Sequence, residues 1–80
     1  MLQDRLIALV KEILAKNSID RPLSPEIRLA DAGLSSLDMV NLMFAIEAEF
    51  NLEIPSAEIT PENFHSVSTI EALLTRLGAS

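Results

Sequence analysis

The chain has no cysteine, no tryptophan and no tyrosine. Without cysteine it can build neither a disulfide framework nor a thiolate metal site. Its only aromatic residues are Phe44, Phe50 and Phe64, so a core must come mainly from leucine, isoleucine, valine and methionine. Glycine is confined to Gly33 and Gly78. No apolar run approaches the length of a membrane span. Met1-Leu2-Gln3-Asp4-Arg5 lacks the basic segment and apolar stretch of a secretory leader, so the cytoplasm is the expected location. Positive charge is also short: 6 Lys and Arg stand against 12 Asp and Glu, a formal net charge of −6. Such a chain repels phosphate backbones and anionic membranes. Nucleic acid and membrane insertion are therefore not expected, and a basic protein is its natural complement.

What remains is 80 residues of which 49% are hydrophobic, too apolar for a disordered chain. That length suits one small domain over residues 1–80 and not two. An enclosed enzyme site would be unusual at this size, and no enzymatic activity is expected.

Helical spacing dominates. Leu2, Leu6, Leu9, Val10, Ile13 and Leu14 predict an amphipathic helix over residues 2–16. Residues 17–34 form a long connection punctuated by Pro22, Pro25 and Gly33, with one helical turn possible after Ser24. Its apolar residues Leu23, Ile27, Leu29 and Leu34 should anchor it to the core. A second helix is predicted over residues 36–50, with Leu37, Val40, Phe44, Ile46 and Phe50 as its apolar face. Ser35-Ser36-Leu37-Asp38 fits a capping box at its start. Thr60-Pro61-Glu62 predicts a short third helix at 61–65, and Ser68-Thr69-Ile70-Glu71 a cap for a last helix ending near Leu77 and Gly78. No segment alternates like a strand. The expected fold is an all-α four-helix bundle with a short third helix and a long loop between helices one and two.

The stretch with chemical potential is Asp31 to Val40. A glycine turn hands over to a helix at a serine pair, and Ser36 lies in the first turn, where unpaired N–H groups and the helix dipole favour a phosphate ester. Capping alone also explains two serines at a helix start, and on spacing it is the commoner reason.

The run Gly33-Leu34-Ser35-Ser36-Leu37-Asp38, with Val40, Leu42, Glu47 and then Glu49-Phe50-Asn51-Leu52-Glu53-Ile54-Pro55, resembles the acyl carrier protein family. The resemblance extends to chain length and helix order. It implies that Ser36 takes a phosphopantetheine arm from coenzyme A through a phosphopantetheinyl transferase. The arm's thiol then holds an acyl or aminoacyl group as a thioester. It further implies a monomeric carrier served by an acyl or aminoacyl ligase and downstream transferases or synthases. Leu37, Asp38, Met39, Val40, Asn41 and Glu47 are the residues expected to dock partners.

Three departures from fatty-acid carriers point to a specialised role. Ser35 replaces the acidic residue usual before the modified serine. Asn41 and Ala48 stand where acidic residues are frequent. The segment from Pro55 to Val67 is longer and contains Phe64. The resemblance is therefore closer to specialised carriers, including those that load amino acids.

Other candidates carry less. His65 is the only histidine and has no partner in sequence for metal or triad chemistry. Glu47, Glu49, Glu53, Glu58 and Glu62 read as a solvated acidic surface. Met39, Leu42 and Met43 fit either a contact stripe or core filling, with Met39 the better contact residue. Phe44 and Phe50 are expected in the core. The rival reading is an unmodified acidic helical domain that binds a basic protein. A hydrolase built on Ser35 or Ser36 lacks a base and an oxyanion site.

Overall fold

A computed structural model describes residues 2–20 and 22–79. Met1, Arg21 and Ser80, which belong to the expected 1–80 unit, lie outside the described residues. Among the described residues there are four α-helices: α1 Leu2–Lys16, α2 Leu29–Ala32, α3 Ser36–Phe50 and α4 Val67–Arg76. A 3-10 turn spans Ser56–Glu58. Among the described residues there is no strand. The all-α expectation holds, and α1 and α3 begin and end where the hydrophobic spacing put them.

α1 packs against both α3 and α4. Its buried stripe is Leu6, Val10, Ile13 and Leu14, facing Leu42 and Ile46 of α3 and Val67, Ile70, Leu73 and Leu74 of α4. The long loop completes the core through Leu29, Ala32 and Leu34. It is held by backbone bonds to the start of α4: Leu29 N–H donates to the His65 carbonyl at 2.9 Å, and Ser68 N–H to the Pro25 carbonyl at 2.9 Å. Gly33 ends α2 with φ +116°, a conformation L side chains rarely adopt. Across the bundle, Arg5 pairs with Glu49 at 2.9 Å and lies 4.3 Å from the Phe50 ring centroid.

Four local expectations need correction. Helix α2 was not anticipated inside the long loop; at four residues it is too short to show a period. The helix expected at 61–65 is one turn, closed by Phe64 N–H on the Thr60 carbonyl at 3.2 Å. Side chains capture its polar groups instead: Thr60 Oγ1 accepts from Asn63 N–H, Asn63 Nδ2 donates back to the Glu58 carbonyl, and Thr69 Oγ1 donates to the Asn63 carbonyl. The short helical element of this region is the 3-10 turn just upstream.

The cap of α4 is Ser66, not Ser68. Ser66 Oγ accepts from Thr69 N–H, and Thr69 Oγ1 accepts from Ser66 N–H. Starting there buries Val67 on the same face as Ile70 and Leu74, while the Ser68 hydroxyl donates to Glu26. Finally, Phe44 is 58% exposed and not core. At about 100° per residue, Phe44 and Ile46 point about 200° apart, and only Ile46 faces α1.

Candidate functional site

The start of α3 divides the serine pair. Ser35 is the cap: its Oγ accepts from Asp38 N–H at 3.1 Å, and its N–H donates to Asp38 Oδ2 at 2.9 Å. That same Oδ2 accepts from Asn17 Nδ2 at 2.8 Å. The bond from Ser35 N–H, followed by the one from Asn17, holds the Asp38 carboxyl below the usual aspartate range. Ser36 is the first helical residue and is exposed. The cap bonds leave its hydroxyl without an intrachain partner among the described residues. Its backbone N–H and that of Leu37 precede the first intrahelical bond, from Met39 N–H to the Ser35 carbonyl at 3.0 Å.

Beside Ser36 opens a shallow cavity of about 560 Å³, bordered by Arg28, Met39, Pro61, Phe64 and His65. A second, of about 270 Å³, continues along α3 between Met39, Val40 and Met43 on one side and Ile59, Pro61 and Phe64 on the other. Met39 and Met43 are half-buried and line this groove, whereas Leu42 is wholly core. Phe64 is half-buried against the core, which fixes the 59–65 segment beside Ser36.

The six residues singled out for docking do not share one environment. Leu37 is 69% exposed, Val40 42% exposed, and Asn41 is exposed beside them. Asp38, Met39 and Glu47 are partly buried. The Glu47 side chain turns inward, Oε2 accepting from Ile54 N–H at 2.9 Å. Of the five glutamates read as solvated surface, Glu47, Glu49 and Glu58 hold internal partners, and Glu53 and Glu62 are exposed. His65 is exposed, and its contribution is a backbone carbonyl. Two features escaped the sequence reading. Asn17 reaches Asp38 across 21 positions, which no local pattern encodes. The other is the exposure of Phe44: the helical wheel puts Phe44 opposite Ile46, but which of the two faces is buried depends on the helix packed against them.

A hydroxyl free at a helix start and flanked by an open groove suits a carrier. Such a protein presents a covalently held group to other enzymes. The chain belongs to the phosphopantetheine attachment site family, whose model matches residues 4–77. It is a carrier protein, not an enzyme, and its cofactor is covalently attached phosphopantetheine. The residues present fit such a group: an unengaged hydroxyl at Ser36, unpaired N–H groups for its phosphate, and a groove for its length. When bound, the group supplies a thiol that holds cargo as a thioester.

The relatives share most of the chain. Aminoacyl carrier protein 1 of Bradyrhizobium diazoefficiens is 51% identical over 73 residues, 91% of this chain and 81% of its own. Acyl carrier protein AcpXL of Rhizobium etli is 42% identical over 66 residues, 78% of this chain and 72% of its own. Among solved structures, a Bradyrhizobium japonicum glycine:carrier protein ligase complexed with glycylated carrier protein contains a similar chain. It is 51% identical with a TM-score of 0.79, covering 91% of this chain and 99% of that one. The complex of a ligase from the same species with its cognate carrier and a glycyl adenylate analogue gives 49% identity and a TM-score of 0.82. It covers 95% of this chain and 99% of that one. Among the described residues, no helix is long and apolar enough to cross a membrane.

Proposed function

We propose that Ser36 Oγ bears the phosphopantetheine arm and that the cargo is an amino acid, loaded by an amino acid:carrier protein ligase. The observation that carries the attachment is the division of labour in the serine pair: Ser35 is locked in the cap, and Ser36 is not. The cargo class rests on the aminoacyl carrier relatives and on the ligase complexes in which a similar chain is seated. On this reading the first turns of α3 face the partner. Leu37, Val40 and Asn41 are exposed there, and Asp38, Met39 and Glu47 lie at the edges. A phosphopantetheinyl transferase supplies the arm from coenzyme A, and a cytoplasmic location goes with that donor.

The test is mass spectrometry of the chain after treatment with coenzyme A and a transferase, then with amino acid, ATP and the Bradyrhizobium ligase. The expected products are one arm on Ser36 and one aminoacyl group on the arm. A carrier that elongates acyl groups in a reconstituted fatty acid synthase as well as a housekeeping carrier does would overturn the aminoacyl cargo. The acyl reading, which the AcpXL relative favours, would then replace it.

A further inference from the structure

The cavity beside Ser36 carries a cation. Arg28 and His65 line it together with Ser36, and much of the remaining wall is apolar, from Met39, Pro61 and Phe64. The two polar side chains come from different loops. Arg28 immediately precedes α2, and His65 immediately precedes Ser66, the cap of α4. One backbone bond staples these loops together, from Leu29 N–H to the His65 carbonyl at 2.9 Å. Their chain neighbours are anchors, since Leu29 and Ser66 are both buried. The backbone beneath Arg28 and His65 is therefore fixed, while both residues are exposed at the rim of the cavity.

Cations are scarce in a chain of net charge −6. Among the described residues, Arg5 pairs with Glu49, Arg76 pairs with Glu58, and Lys11 and Lys16 lie on α1. Arg28 is the one of these basic residues that lines the cavity with Ser36. Its own partner is Asp31 at 3.8 Å, and both side chains are more than half exposed. A pair so long and so well solvated holds its cation weakly, so Arg28 can exchange Asp31 for a better anion. Among the described residues the His65 imidazole has no hydrogen bond within the chain, and it offers at least one N–H donor in either charge state.

We propose that Arg28, with His65 beside it, grips the phosphodiester that joins the arm to Ser36, and so sets the direction in which the arm leaves the protein. The inference rests on attachment at Ser36 and adds the residues that hold the root of the arm. The phosphodiester is a permanent anion bonded directly to Ser36 Oγ, on the cavity that Arg28 and His65 line. A guanidinium presents a planar fork of N–H groups that matches phosphate oxygens. The tether makes this encounter intramolecular, so a contact too weak to capture free phosphate is still populated. Gripped there, the arm starts along Met39, Pro61 and Phe64 and not over the open face of α3. Arg28 and His65 are positioning residues: they act on the phosphate, and the thiol with its cargo lies at the far end of the arm.

The experiment is phosphorus NMR of holo-protein whose single arm has been verified by mass and located by fragmentation. The wild-type phosphodiester resonance should differ from that of the same protein unfolded in urea. Arg28→Gln should remove most of that difference and His65→Gln part of it, while Arg28→Lys should keep more than Arg28→Gln does. Raising salt from about 50 to about 500 mM should shrink the wild-type difference, which reads the contact without any substitution. A folded wild-type resonance equal to the unfolded one, or a difference that survives both Arg28→Gln and salt, would overturn the inference and leave attachment at Ser36 intact. An arm located on another residue would overturn both. Inorganic phosphate added to apo-protein at about 1 mM should leave the Arg28 Nε–H resonance unmoved. Saturation there would assign the pair to a soluble anion and overturn the inference.

Discussion

Asn17 Nδ2 donates to Asp38 Oδ2 at 2.8 Å, tying the end of α1 to the first turn of α3. The same oxygen accepts from Ser35 N–H. One carboxylate thus caps the helix that begins at Ser36 and fixes that helix against its neighbour. Ser36 inherits its position from this bond without taking part in it.

Acid should loosen this joint. The Asp38 carboxyl is held below its usual range by Ser35 N–H and Asn17, so its contribution is fully present above the ordinary aspartate range and fades as pH falls through the lowered value. In denaturant titrations, Asp38→Asn should be less stable than wild type at neutral pH, and the gap should close in acid. Asn17→Ala should narrow the same gap. A gap independent of pH would contradict the assignment.

The two serines should separate cleanly. Ser36→Ala should abolish addition of the arm, seen by mass, while circular dichroism stays helical. Ser35→Ala should still accept the arm but lose about 1 kcal/mol of stability, the usual cost of removing a helix cap. Arm addition that persists in Ser36→Ala and vanishes in Ser35→Ala would reverse the assignment.

Phe44 and Ile46 should behave oppositely in stability measurements. Ile46 is wholly buried, and Ile46→Ala should cost about 2–5 kcal/mol. Phe44→Ser removes a larger side chain yet should change stability by less than about 1 kcal/mol, because the ring stands mostly in water.

The two glycines differ in the same way. Gly33 has φ +116°, and a Cβ there would lie 2.6 Å from Ile19 Cδ1. Gly33→Ala should cost about 1–2 kcal/mol for the backbone alone, plus whatever displaces Ile19. Gly78 has φ +92° but open space around it, so Gly78→Ala should cost only the backbone part. Urea denaturation of the two variants would measure the difference.

Residues close in sequence determined α1, α3 and the Ser35–Asp38 box by themselves. A long amphipathic repeat and a four-residue cap are local, and no distant contact is needed to choose them. The motif around Ser36 was legible for the same reason, since it consists of a turn, a cap and a first helical turn in one run of residues. Tertiary structure decided the rest. The 61–65 segment had a helix start in Thr60-Pro61, but Glu58, Asn63, Thr69 and Arg76 claim its polar groups from both sides. Ser66 displaced Ser68 as a cap because burying Val67 in the core is worth more than a matching four-residue pattern. The carboxylates of α3 looked free for docking until Asn17, Ile54 and Arg5 met them from other elements. An apolar helix of two faces can bury either one. Only the placement of α1 chose Leu42 and Ile46, and so left Leu37, Val40 and Phe44 in water beside Ser36.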